Sequence, residues 1–513
     1  YYGVNKKIWG KEMSLAVVYC RAAIGVQAPL VTIEVHLSNG LPGLSIVGLP
    51  ETAVKESKDR VRGAIINSNF EFPLRRITIN MAPADLPKEG GRYDLPIAIG
   101  ILAASGQIPK NQLDQYEFAG ELALTGALRR IKGAIPFVYQ CRQKGRAVII
   151  PRKNSTEASL INEAVVLPAD HLLDVCAHIA GQNKLEQLVA DQQETEPEIN
   201  RDLADVKGQM HAKRALEIAA AGGHSLLFVG PPGTGKSMLA SRLGEIMPPL
   251  TDQEAIETAA IISVSGRQFD KNDWKRRPFR NPHHTASAVA LVGGGSNPRP
   301  GEISLSHNGV MFLDELPEFD RKVLEVLREP LETGQITISR ATSQAEFPAR
   351  FQLVAAMNPC PCGYLGDKEG RCTCNPTQVQ RYRSKISGPL MDRIDMHVEV
   401  PRIAHEELRS AATGESSKQI RLRVKQARKL QNRRGHSQNS ILESKDIDTF
   451  CALEPSDESL LQKAVEKLGL SARAMHRILK VARTIADLDG SDNIARKHLT
   501  EAISYRRMDR EAG

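Results

Sequence analysis

Apolar and polar residues alternate along Val31-Thr-Ile-Glu-Val-His-Leu37, with Val31, Ile33, Val35 and Leu37 opposite Thr32, Glu34 and His36. A period of two sends alternate side chains to opposite faces, so this run predicts a half-buried strand. Arg76–Asn80 and Ala147–Pro151 predict further strands, while the nearly unbroken apolar run Leu95–Ala104 predicts a buried helix. Beyond residue 200 the pattern changes. Leu226–Val229, Val310–Leu313 and Phe351–Ala356 are short apolar runs of the kind buried on both faces of a parallel sheet. Helical patterns separate them, the strand-then-helix rhythm of an α/β fold. From 403 onward helix formers dominate and no strand pattern appears. Ala190–Ile199 is acidic, polar and interrupted by Pro197, which reads as a linker.

These shifts divide the chain into a mixed α+β block at 13–185, a linker at 186–200, a parallel α/β core at 201–402 and a helical block at 403–513. Residues 1–12 precede Met13, which opens the first well-patterned segment, and are expected to be upstream sequence outside the fold. A length of 513 residues at ~150 per domain agrees with three to four domains. With 41% hydrophobic and 25% charged residues, the chain is neither disordered nor a disulfide scaffold. Aromatic residues at 4% argue against an all-β sandwich or a protein built on stacking platforms. The longest apolar stretch, 95–105, falls short of the ~18 residues that span a bilayer. No signal-peptide pattern is visible, so a cytoplasmic protein without a membrane partner is expected. The net charge of +8 permits an acidic partner without naming one.

Chemistry concentrates in the second block. Gly230-Pro231-Pro232-Gly233-Thr234-Gly235-Lys236-Ser237 matches the phosphate-binding loop, with an apolar strand before it and a helical pattern after it. Glycines let backbone N–H groups fold around phosphates at a helix N-terminus. Lys236 then reaches the β- and γ-phosphates of ATP, and Ser237 ligates Mg²⁺. Val310–Leu313 ends in Asp314 and Glu315, placing one carboxylate to orient the metal and the other to act as general base. Asn358, at the end of a third strand, is placed to hold the attacking water or touch the γ-phosphate; the alternative is a turn residue ahead of Pro359.

Four of the eight cysteines, Cys360, Cys362, Cys372 and Cys374, fall within fifteen residues as two C-x-C pairs. They suit a structural four-thiolate Zn²⁺ site, with free thiols or a redox pair as the alternative. Residues 418–434 hold eight basic and no acidic side chains, and Arg421, Lys425 and Arg428 share one helical face. Such a stripe fits a phosphate backbone, or equally a solvated helix face or a subunit interface. Arg267–Arg280 mixes basic residues with Phe269, Trp274 and Phe279, as a DNA-contacting insertion or a packed loop.

The phosphate loop, Asp314-Glu315, Asn358 and Gly388–Asp395 together resemble AAA+ ATPases of the magnesium-chelatase-like branch. Asn281–Ser287, Gly301–Gly309 and Leu470–Leu479 extend the likeness, and from Met13 onward the chain resembles the ComM/YifB group. The resemblance implies a homohexameric ring motor driven by ATP and Mg²⁺ that moves forked or branched DNA, single- or double-stranded. It implies branch migration during natural transformation. A magnesium-chelatase motor subunit or an assembly chaperone is the alternative. By the same resemblance Arg393 is the arginine finger of a neighbouring site, which on the residues alone reads as a salt-bridged loop residue. Arg473 matches the second sensor arginine, with Arg477 one turn later as its rival. Gly334–Arg350 reads as a β-hairpin, which in this branch projects into the ring pore with Arg340 near its tip; a surface hairpin without ligand is the other reading. Asn80–Gly90 and Phe118–Gly133 resemble the proteolytic domain of Lon, but Arg92 and Ile135 stand where Lon has its serine and lysine. With no hydroxyl and no base in register, a Lon-like fold without peptidase activity is implied.

Overall fold

Branched aliphatic residues at every second position build the first sheet. In this computed structural model residues 14–23, 27–48, 56–86, 88, 90–189, 198–267, 270–295, 298–339, 344–366, 370–403 and 414–506 are described. The chain divides into two units, 1–195 with 255–274, and 196–254 with 275–513. In the first, β1 (Leu15–Arg21), β2 (Leu30–Ser38), β3 (Gly43–Val47), β4 (Arg76–Ala82), β5 (Tyr116–Phe118), β6 (Ala147–Pro151) and β7 (Val166–Ala169) form one sheet in the order β3-β4-β2-β1-β5-β6-β7. β2 pairs antiparallel with both β1 and β4, and the remaining neighbours run parallel. Val31, Ile33, Val35 and Leu37 are all buried, as the alternation predicts. Their core is closed by α1 (Asp94–Ala104), every residue of which is buried. The helix reaches the sheet because Gly100 lacks a side chain: a Cβ there would stand 2.5 Å from Val35 Cγ2.

The second unit holds a parallel sheet of β8 (Leu226–Val229), β9 (Phe279–Arg280), β10 (Val310–Leu313), β13 (Gln352–Met357) and β14 (Met396–Glu399), ordered β9-β10-β13-β8-β14. Between β10 and β13 lies an antiparallel hairpin, β11 (Gln335–Ser339) and β12 (Gln344–Pro348), with Ile336, Ile338, Ala345 and Phe347 buried. Its expected tip residue, Arg340, lies outside the described residues. Helices α2 (Met210–Gly222) and α3 (Lys236–Ile246) share a core with Leu226, Phe228, Phe312, Val354 and Met396 from one sheet face. Ile420, Val424 and Ala427 of α6 (Ser417–Arg433) and Ile478, Val481 and Ile485 of α7 (Ala472–Leu488) complete that core. The predicted helical block therefore shares one apolar interior with the α/β core. Each fully buried aliphatic side chain contributes about 1.5–3 kcal/mol to that interior.

Helix α4 (Asp252–Ser265) passes from the second unit into the first, where Ala259 and Ala260 are buried and Trp274 packs against the core. Further along the same basic stretch, Arg277 is buried, donating to the carbonyls of Pro248 and Asn308, each at 2.7 Å. Both residues are packed, while Phe269 lies outside the described residues. Among the described residues no helix is long and apolar enough to cross a membrane.

Candidate nucleotide site and thiolate cluster

At the end of β8 the chain turns at Gly230, where a Cβ would collide with the carbonyl of Val400. Gly233 and Gly235 have φ of 78° and 86°, the left-handed region glycine enters freely, and added Cβ atoms there would meet nothing within 4 Å. The result is an open backbone cradle at the N-terminus of α3, whose first N–H groups have no intrahelical partner. Lys236, the first residue of α3, donates to the carbonyls of Gly230 (2.7 Å) and Pro231 (2.9 Å) and to Asn358 Oδ1 (3.1 Å). Burial pushes its ammonium pKa down, and Asp314 and Glu315 partly offset this. Ser237 Oγ donates to Asp314 Oδ2 at 2.5 Å, so the hydroxyl and carboxylate expected to share Mg²⁺ stand side by side. The donor set and the open backbone cradle fit ATP with Mg²⁺.

Glu315 follows Asp314 in a left-handed conformation, φ 52°. One carboxylate oxygen lies 3.1 Å from Nδ1 of His284, a residue the motif reading did not single out. The pair forms because β9 runs parallel beside β10, with Phe279 opposite Val310, so the segments leaving both strands emerge together. The rings of His283 and His284 meet at a tilt of 33°, with centres 4.2 Å apart. The run of two histidines after a short strand was the available signal.

Arg393 is buried: Nη1 donates to the Pro389 carbonyl at 2.6 Å, and Nη2 pairs with Glu332, itself half exposed. Two residues on, Asp395 accepts from the Ser225 amide at 2.9 Å and pairs with Arg477. Burial alone would raise the Asp395 pKa, but Arg477 and then His224 hold it well below the usual carboxylate range. Arg477 also donates to the Arg393 carbonyl at 3.0 Å, whereas Arg473 is exposed in the first turn of α7.

The four clustered cysteines converge. Their sulfurs all lie within 4.8 Å of one another, with Cys360 to Cys362 at 3.3 Å, Cys360 to Cys372 at 3.8 Å and Cys362 to Cys372 at 3.6 Å. Sulfurs 2.3 Å from a tetrahedral ion would stand about 3.8 Å apart, a spacing that the Cys360–Cys372 and Cys362–Cys372 pairs approach. Backbone hydrogen bonds from Tyr364 and Thr373 favour the thiolate at Cys362, drawing its pKa down to about 6. Cys374 moves the other way: a backbone hydrogen bond with Cys362 opposes the shift, but desolvation and the neighbouring Cys362 and Cys360 sulfurs carry it up to about 11. Burial pushes the scattered Cys20, Cys176 and Cys451 thiols up to about 12.

The expected DNA-facing stripe needs correction. Arg421, Lys425 and Arg428 do share a face of α6, but the two arginines on it point inward. Arg421 is buried and donates to the Glu245 carbonyl in the last turn of α3, through Nε at 2.8 Å and Nη2 at 2.5 Å. Arg428 is buried and donates to the Ala220 carbonyl near the end of α2 at 2.8 Å and to Ser437 at 3.0 Å. Helix C-termini leave carbonyls unsatisfied, and cations at that end also meet the negative pole of the macrodipole. These arginines cap two helices. Lys425 is half-buried.

Family models place this arrangement. Residues 202–408 match magnesium chelatase subunit ChlI, 414–506 its C-terminal region and 33–154 a further ChlI model. The chain is 55% identical over 503 residues to the competence protein ComM of Haemophilus influenzae, covering 97% of this chain and 98% of that one. It belongs to the ComM/YifB family of magnesium-chelatase-like AAA+ proteins. The YifB protein of Escherichia coli is 54% identical over 499 residues, covering 97% of this chain and 98% of that one. A DNA replication licensing factor, mcm6 of Dictyostelium discoideum, is 26% identical over 191 residues, 37% of this chain and 18% of that one. In this ComM/YifB protein the phosphate loop meets Asp314 through Ser237 and Asn358 through Lys236.

Proposed function

We propose that this ComM/YifB protein is an ATP-driven motor that assembles as a homohexameric ring in the cytoplasm. It moves branched or forked DNA and supports branch migration during natural transformation. The observation carrying the ATPase half is the side-by-side placement of Ser237 with Asp314 and of Lys236 with Asn358. The DNA half is supported by the relatives named as a competence protein and a replication licensing factor.

Ser237 and Asp314 would hold Mg²⁺, which supplies charge neutralisation on the phosphates when bound. Lys236 exchanges its carbonyl contacts for the β- and γ-phosphates. Glu315 accepts the proton of the attacking water, and Asn358 orients that water. Arg393 of an adjacent copy stabilises charge developing on the γ-phosphate, an effect worth about 10³–10⁵ in rate in well-studied cases. We assign the second sensor to Arg473, because Arg477 is already paired with Asp395. Arg340, between β11 and β12 in the sequence, is assigned to contact with the DNA backbone. The four cysteines hold a structural Zn²⁺.

In the domain scheme of this reading, residues 13–185 form a Lon-like domain without peptidase activity, joined through 186–200 to an AAA+ core at 201–402 and a helical lid at 403–513. Arg92, at the position of the missing nucleophile, is buried, with its guanidinium donating to the carbonyls of Arg21 (3.1 Å) and Lys132. The second reading, remodelling of a protein partner, is favoured by the matches to magnesium chelatase. The test is ATP turnover and strand products with four-way, forked and linear DNA. Stimulation and strand exchange by the branched forms support the motor; no stimulation and no strand product overturn it.

A further inference from the structure

The thiolate cluster stands beside the nucleotide site. Asn358, the partner of Lys236, ends β13, and Cys360 follows two residues later. Gly363 lies against the phosphate loop, where a Cβ would stand 2.8 Å from Pro232 Cδ. At the other end, Cys374 precedes Asn375, the N-cap of α5 (Pro376–Arg383). Asn375 Oδ1 accepts from the Gln378 amide at 2.8 Å, and Gln378 Oε1 accepts from the Asn375 amide at 3.0 Å. The last residue of α5, Arg383, donates back to the Pro359 carbonyl at 3.4 Å. The excursion 359–374 therefore leaves the sheet and returns close to its own start.

What holds this excursion is not apolar burial. Past its first two residues, Pro359 and Cys360, only Gly363 is buried among the described residues up to 374. A sixteen-residue segment with so few buried residues has many conformations to lose, and a metal clip that joins its two ends removes them in one step. Cys360 and Cys362 sit at one end, Cys372 and Cys374 at the other, and their sulfurs already meet.

We propose that Zn²⁺ held by Cys360, Cys362, Cys372 and Cys374 is a brace for the nucleotide site, fixing Asn358 against Lys236 and Gly363 against Pro232. Metal loss then leaves the chain folded but lowers ATP turnover. The inference rests on reading the cluster as a Zn²⁺ site and Asn358 as part of the ATP site. Asn358 is the group that touches the reacting centre; the thiolates position it.

The experiment uses the full chain purified without added zinc. Metal analysis is expected to find one zinc per chain; its absence removes the metal reading and the brace with it. A thiol-reactive mercurial followed by chelation strips the metal, and ATP turnover is expected to fall about tenfold, the scale at which outer-shell support of a site acts. Zinc returned after thiol reduction restores turnover. Hydrogen exchange of the amides at 356–363 and 230–237 is expected to speed up in the stripped protein and slow again with zinc, a readout that does not depend on ATPase activity. Zinc present, with exchange and turnover unmoved by its removal, overturns the brace and leaves a purely local metal site. Exchange moved in a protein with no ATPase activity overturns the proposed function and keeps the brace. Asn358→Ala is expected to show no further loss of its residual turnover on stripping; a full second loss would place the effect elsewhere. Cys372→Ser should reproduce the stripped state, and the restoration arm keeps the test decisive if that variant does not fold.

Discussion

At residue scale, Glu315 is held by two local devices. Its φ of 52° is a conformation that non-glycine residues adopt at a cost of order 1–3 kcal/mol, and its carboxylate is met by His284 Nδ1 at 3.1 Å. As a general base Glu315 is expected to be worth about 10²–10⁴ in rate. Glu315→Gln should therefore keep ATP binding and lose turnover by about that factor, measured by steady-state hydrolysis beside equilibrium nucleotide binding; normal turnover would remove it as the base. The His284 contact occupies one oxygen of the carboxylate, where it competes with the attacking water. His284→Ala should raise DNA-free turnover about fivefold, the equivalent of about 1 kcal/mol. The two arginines of α7 separate in the same way. Arg477→Met leaves Asp395 buried without its cation and should lower stability by about 3–5 kcal/mol, read by denaturant unfolding. Exposed Arg473→Met should leave stability unchanged and reduce turnover. Because the Asp395 pKa is depressed in the folded state, its contribution is present above the unfolded carboxylate pKa near 4 and is lost as pH falls below it. Glu315 was legible because Asp314-Glu315 is contiguous with its strand. His284 was not, because nothing within residues 281–287 states that β9 lies beside β10.

At the scale of elements, α6 shows what periodicity conveys and what it leaves out. Spacings of four and three place Arg421, Lys425 and Arg428 on one face, and they do share it. The pattern is silent on whether that face meets solvent or the carboxyl ends of two other helices, since the open carbonyls of Glu245 and Ala220 exist only once α2 and α3 are folded. The apolar residues Ile420, Val424 and Ala427, interleaved with the arginines, were the available warning. Strands were more readable. The alternation in β2 reports a sheet with one buried face, and the unbroken apolar runs of β8 and β10 report strands buried on both. Arg428→Ala is expected to destabilise the chain by about 1–3 kcal/mol through carbonyls left unpaired. The slope of DNA affinity against salt should not change, because this guanidinium faces no solvent. Chemical denaturation and a salt titration of DNA binding check the two halves; a slope smaller by about one would return Arg428 to the DNA surface.

At the scale of the whole molecule, the question is whether one chain completes a site. Arg393 is tied to Glu332 and to the Pro389 carbonyl of its own chain, away from the Lys236–Asn358 pair it is proposed to serve. Glu332 is half exposed, so the ion pair that holds the guanidinium opens at the surface, where a neighbouring copy would compete for it. A ring built from one repeated head-to-tail contact gives each interface one Lys236 and one Arg393 from different copies. Lys236→Ala and Arg393→Ala homo-rings should both be inactive. Co-expressed at equal levels and mixed at random, they create intact interfaces wherever an Arg393→Ala copy supplies Lys236 and a Lys236→Ala copy supplies Arg393. That combination arises at about one interface in four, and turnover should return toward that fraction if sites fire independently. Coordinated firing around the ring would return less, but still more than either homo-ring. If Arg393 acted within its own chain, every site in every mixture would lack one of the two groups, and mixing would restore nothing.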